Sequence, residues 1–331
     1  MEEYLSKGVR TARLIGFLLA GFALTYYLLT RSGSAGSTVR SIFQTVSGAD
    51  LRWLLIGLAL FFVSQFIRAW RWQLLSYGHR ISLSESLAVT TIHVGMGHLL
   101  PLRLSDVALV GLFRKYAAVP VGSGAATVML AKIMDVIAMG SVVAFSFLFG
   151  LSGPIVFVAA VIASAGIVSL FFLPSCLRLF TGPVSRVFGN GRLSSAWKDM
   201  TASLEITRER RSSVSLAMTA SIAAWAVKLF MFQALLHAVG VHGLPLWQVF
   251  TACAVTDLTM ALPVHGLLSM GTVEAGWVAG FALVGITGRL TGGLSVVEAG
   301  FSVHLLWLSM AVFLMLAGMV CLLLGSRKDR I

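Results

Sequence analysis

"HLLPLRLSD", residues 98–106, interrupts an apolar run with a proline and places two charges, Arg103 and Asp106, just beyond it. "ALPVHGLLSMGTVE", residues 261–274, repeats the device: a Leu-Pro break, a turn containing Gly266 and Gly271, then Glu274. Proline removes a backbone donor and interrupts a helix. What surrounds these two breaks decides what kind of fold can contain them.

The surroundings are apolar. Of 331 residues, 57% are hydrophobic and only 11% are charged, whereas a soluble domain carries about a quarter charged residues. Several runs exceed the roughly 18 apolar residues that mark a membrane-spanning helix. The alternation of a transmembrane barrel is absent. The sequence therefore reads as an all-α polytopic membrane protein, one membrane domain over 1–331. Full spans are expected near 13–30, 52–74, 119–149, 154–174, 214–238 and 296–324, about six in all. Residues 13–30 read as a retained first span rather than a cleaved leader.

The formal net charge of +12 does not point to nucleic acid. Most Lys and Arg flank apolar runs, as the positive-inside rule expects. Cys176, Cys253 and Cys321 are scattered, with neither a disulfide nor a metal spacing. There is no HExxH and no P-loop, and "GLLSMG" is one residue off a nucleophile elbow. No metal and no cofactor is expected.

Charge also orients the chain. Lys7, Arg10 and Arg13 place the N-terminus on the cytoplasmic side, so residues 1–50 comprise the first span and an outer loop. The span 52–74 returns and ends in "RAWRW", with Arg68 and Arg71 at the inner side. Arg114 and Lys115 also belong inside. The segment 83–113 thus begins and ends on one side and is expected to be a re-entrant hairpin turning near Pro101. Residues 175–213 hold seven Lys and Arg against three acids and read as a basic cytoplasmic linker, its second half a helix on the membrane surface. From there 214–238 exits and 296–324 returns to an inner "SRKDR". The segment 245–290 then begins and ends outside, a second hairpin turning near Pro263. The chain reads as two repeats, 51–174 and 214–325, used in opposite orientation. Pro263 follows Pro101 by 162 residues, and Gly240 follows Gly78 by the same interval. Inverted repeats with broken helices are how many transporters build a site near the bilayer midplane.

An ionisable residue at membrane depth is costly, which makes function the first reading of each. Arg103 could hold a phosphate bidentately, and Asp106 could orient Arg103 or meet a cationic headgroup. The N-terminus of a half-helix favours an anion. Gly271 allows close backbone approach, and Glu274 sits on the first turn of a half-helix. There Glu274, like the Arg103–Asp106 pair, could instead be a helix cap. His265 is a candidate donor at the turn. Lys132 and Asp135 share a face at i, i+3, as a substrate contact or a buried structural pair. Asp257 lies in the descending arm of the second hairpin. Arg68, Trp70, Arg71 and Trp72 read as an interfacial anchor with headgroup contact. His93, His98, His304 and Glu298 read as lone polar groups in packing or hydrogen-bonded roles.

The combination "RAWRWQLL", "LPLRLSD", "AKIMD" and "LPVHGLLSMGTVEAG" resembles the lysylphosphatidylglycerol synthase transmembrane-region family over roughly residues 10–325. In that pattern Arg103, Asp106, Gly271 and Glu274 take the family's polar positions. The family's third span reads Glu-Arg-x-x-Asp; here Ala131 and Lys132 stand in the first two places and Asp135 in the last. The resemblance implies an inner-membrane flippase or transporter for a phospholipid or another polar-headed lipid: aminoacylated, glycosylated or isoprenoid-type. It implies a cavity lined by the two hairpins, membrane lipids as partners, and a separate lipid-modifying enzyme. A homo-oligomer is compatible with it. An intramembrane lipid transferase, or a scaffold recruiting a soluble transferase through 175–213, are the alternatives.

Overall fold

A computed structural model describes residues 2–31, 33–76, 79, 81–100, 104–145, 154–188, 191–260 and 267–328. Its elements are helices: α1 (Glu2–Arg31), α2 (Ala35–Ser47), α3 (Leu51–Leu75), α4 (Leu83–Leu99), α5 (Leu104–Ala117), α6 (Val121–Phe145) and α7 (Pro154–Leu179). There follow α8 (Thr181–Phe188), α9 (Arg192–Glu209), α10 (Arg211–Ala238), α11 (Leu246–Thr259), α12 (Thr272–Leu283) and α13 (Val296–Lys328). No strand occurs among the described residues; a lone antiparallel bridge pairs Arg289 with Ser295.

Among the described residues, four helices are long and apolar enough to cross a membrane: Leu51–Leu75, Val121–Phe145, Arg211–Ala238 and Val296–Leu324. They carry exposed Phe62, Phe66, Phe230, Phe313 and Leu323, a surface suited to lipid rather than water. Hydroxyls survive in these helices because they donate to the carbonyl one turn back, as Ser221 does to Ala217 and Ser309 to Leu305. Helix starts are set by local chemistry. Ser82 and Glu85 exchange side-chain and backbone bonds at the start of α4, and Ser295 and Glu298 do so at α13. Both are capping boxes, Ser-x-x-Glu.

The chain divides into two compact units. The first comprises Met1–Ala59, Gly95–Leu104 and Leu229–Val312. Within it α11 and α12 pack closely as a helical hairpin. The close approach is made by "GWVAG", residues 276–280: a Cβ on Gly276 would lie 2.6 Å from the Thr256 Cα, and one on Gly280 would lie 2.5 Å from the Ala252 Cα. Small residues four apart let helix backbones touch. Leu28, Ile42, Val297 and Phe301 form a buried cluster on α1, α2 and α13. The expected outer loop after the first span therefore contains a helix, α2. Val39, Ile42, Phe43 and Val46 follow the i, i+3, i+4, i+7 spacing. Ile42 is buried while Val39 and Phe43 face outward.

The second unit comprises Leu60–Val94, Ser105–Lys228 and Phe313–Ile331. There α7 and α9 pack on α6. Ala126, Leu130 and Leu204 form a buried cluster, and Ser203 Oγ donates to Ser123 Oγ at 2.9 Å. Arg178 pairs with Glu205. The basic segment 175–213 is thus mostly helical. Its second half is helical as expected, but Leu204 of that helix is buried at 1% exposure, so α9 is docked on α6 by an apolar contact.

Candidate functional site

Two groups of ionisable side chains lie among these apolar helices, one in each unit. In the second unit Asp135 lies on α6, close to the midpoint of that span. Its Oδ1 accepts from Arg71 Nη1 at 2.5 Å and from the Trp225 indole at 3.1 Å. Its Oδ2 accepts from Arg71 Nη2 at 3.4 Å and from Arg68 Nη1 at 3.3 Å. Arg71 is 1% exposed and donates also to Ser221 Oγ at 2.8 Å. Its guanidinium lies 5.0 Å from the Trp72 ring centroid, and that of Arg68 lies 5.8 Å from the Trp225 ring. Arg68 and Arg71 reach one carboxylate together because they are one turn apart on α3.

Asp106, in the first turn of α5, continues the group. Its Oδ1 lies 2.9 Å from His93 Nε2 of α4 and 2.9 Å from Lys132 Nζ of α6. The His93 contact ties α4 to α5. Lys132 is the open end: its side chain is 41% exposed, against 22% for Asp106 and 16% for Asp135. Lys132 and Asp135 share a face of α6, yet each takes its partner from a different helix.

In the "RAWRW" segment Arg68 is partly buried, with its side chain 15% exposed. Arg71 and Trp72 are buried and only Trp70 faces outward. Both arginines face the countercharge of Asp135 on the neighbouring helix.

In the first unit the focus is Glu274, fully buried on the first turn of α12. Its Oε2 accepts from the Gly271 N–H at 2.6 Å, and its Oε1 lies 2.5 Å from His304 Nδ1 on α13. Capping and pairing are thus both present in one carboxylate. Gly271 has φ of 84°, and a Cβ there would lie 2.7 Å from the Gly21 carbonyl. His98 of α4 has its ring centroid 5.8 Å from that of His304 and stands edge-on to Trp307 at 4.3 Å.

Of the expected site residues, Asp106 and Lys132 come together, as do Asp135, Arg68 and Arg71. Asp257 is half-buried on α11. Arg103 and His265 lie outside the described residues, as do Pro101 and Pro263. Trp225, Ser221, His93 and His304 were not singled out as site residues. No local spacing announces them, since each meets its partner across helices.

These helices, with charged groups buried among apolar spans, define a multi-pass α-helical membrane protein. The family model for the lysylphosphatidylglycerol synthase TM region matches residues 13–309, and the chain belongs to that family. No curated protein and no solved structure matches the chain.

Proposed function

We propose that this protein moves a phosphate-headed lipid across the membrane, with Lys132 and Arg68 meeting the headgroup phosphate. The observation that carries the reading is a charge imbalance. Arg68, Arg71 and Lys132 face two carboxylates, Asp106 and Asp135, which leaves one formal positive charge in excess among these five groups. Excess charge at that depth is costly. A lipid phosphate compensates it through charge-assisted hydrogen bonds. The exposed Lys132 is placed to exchange Asp106 for phosphate, and Asp106 is then free to meet an amine on the same headgroup. The family name supports the substrate class, since lysylphosphatidylglycerol carries both a phosphate and amines.

In this reading α4–α5 and α11–α12 are re-entrant hairpins that enter from opposite faces. Helix length favours it: α11 has 14 residues and α12 has 12, about 21 and 18 Å of rise. The hydrocarbon core is about 30 Å thick. The flanking charges favour cytoplasmic termini in a prokaryotic inner membrane. Transport in this reading alternates exposure through the two inverted halves.

The test is reconstitution into liposomes containing a fluorescent phosphatidylglycerol, with an impermeant quencher outside and the lipids analysed by mass spectrometry afterwards. The reading expects protein-dependent movement of intact lipid. A covalently altered lipid without movement would identify a transferase instead.

A further inference from the structure

We propose that α2 is an interfacial helix that binds the surface of an anionic phospholipid leaflet, with Val39 and Phe43 among the acyl chains and Arg40 on the phosphates. The site requires no transport activity.

Successive residues of a helix turn by about 100°, and α2 divides accordingly into three strips. Thr38 and Ile42 form the buried strip. Ile42 packs with Leu28, Val297 and Phe301, and Ser41 beside it hydrogen-bonds the Glu298 carboxylate at the start of α13. One position further round, Val39 and Phe43 are 51% and 73% exposed. Another position on, Arg40 and Gln44 are exposed as well. A helix between a protein core and water needs two strips, one apolar and buried, one polar and wet. The exposed apolar strip of α2 lies between those two and meets a third medium. A helix in the plane of a bilayer meets such a medium, its apolar side at the acyl boundary and its basic side at the headgroups.

Three observations identify that medium as lipid with anionic headgroups. First, α3 begins at Leu51, directly after the turn that ends α2, and α3 is long and apolar enough to cross a membrane. Its first turns carry exposed Leu51 and Leu55, so the lipid-facing surface of that span starts where α2 ends in the chain. Second, the last turns of α1 expose Tyr26 and Tyr27, the residue type that gathers at the boundary between membrane and water. Both ends of α2 are therefore tied to that boundary. Third, the stretch 31–52 holds Arg31, Arg40 and Arg52 against Asp50, all four exposed. The excess of two positive charges suits an anionic headgroup layer. A protein partner fits the strip poorly. Two side chains are a small part of the roughly 800 Å² that each partner buries in a stable interface.

The test places a bimane on Phe43→Cys and, separately, on Gln44→Cys, in full-length protein carrying Cys176→Ser and Cys321→Ser. Cys253 is buried and stays. The protein is reconstituted into phosphatidylcholine liposomes with a small fraction of nitroxide lipid, the nitroxide near the top of an acyl chain and the headgroup either phosphatidylglycerol or phosphatidylcholine. At position 43 the proposal expects quenching by the nitroxide lipids and shielding from iodide supplied on both sides of the membrane. At position 44 it expects stronger quenching by iodide than by lipid. The phosphatidylglycerol form should quench position 43 more than the phosphatidylcholine form, following the roughly fivefold enrichment of anionic lipid that one arginine at the headgroups produces. Arg40→Gln should remove most of that difference. Quenching of position 43 by iodide and not by lipid would place the strip in water and overturn the proposal. Shielding from both quenchers would mean that protein covers the strip, a second copy of the chain included, and overturns it equally. The same quenching by both lipids overturns the anionic preference.

Discussion

Asp135 holds together a buried arrangement that no single helix could stabilise. Arg71 is buried, and its charge is balanced by Asp135. Removing one partner of a buried pair leaves the other uncompensated and costs about 3–5 kcal/mol. Asp135→Ala should therefore lower the thermal midpoint of the purified protein sharply, measured by tryptophan fluorescence in detergent. Asp135→Ala with Arg71→Leu should recover part of the loss. An unchanged midpoint in the single variant would contradict the account. Asp135 was legible in the sequence as an acid in an apolar run. Its partners were not. The i, i+3 spacing of Lys132 and Asp135 fixes a shared face, but which helix meets that face is settled by packing, and packing has no local period. The same limit explains His304, which read as a lone polar group until α12 brought Glu274 beside it.

Among the elements, the α11–α12 hairpin and α9 make separate claims. Gly271 begins α12 with a positive φ and no room for a Cβ. Gly271→Ala should cost roughly 1–3 kcal/mol, the usual cost of such backbone strain, read as a lower thermal midpoint. The docking of α9 on α6 is checked by cysteines at Ser123 and Ser203, whose hydroxyl oxygens lie 2.9 Å apart. Mild oxidation should join them, detected as altered gel mobility after proteolytic cleavage between the two positions. Absence of the cross-link would return 175–213 to an undocked linker. The sequence announced a basic helix here because charge patterning is local. It could not announce the docking, because Leu204 is one apolar residue among many and its burial depends on α6. Conversely, α2 was open to detection: Val39, Ile42, Phe43 and Val46 keep a helical period that the polar residues around them obscured.

Across the whole molecule, composition alone identified a helical membrane protein, since 57% hydrophobic and 11% charged residues cannot cover a soluble surface. The proposed topology places the α4–α5 and α11–α12 hairpins on opposite faces. Single cysteines at Lys115 and His242, both exposed, should then be labelled by an impermeant reagent from opposite sides of intact vesicles. Labelling from one side would end the inverted-repeat reading. The central claim is that a positive charge at the middle of α6 receives a lipid phosphate. Its most direct test is the rate of fluorescent phosphatidylglycerol movement in liposomes for wild type, Lys132→Arg and Lys132→Ala. The account predicts that arginine retains most of the rate, while alanine reduces it at least about tenfold, which is about 1.4 kcal/mol of lost stabilisation. A Lys132→Ala protein that moves the lipid at the wild-type rate would contradict it.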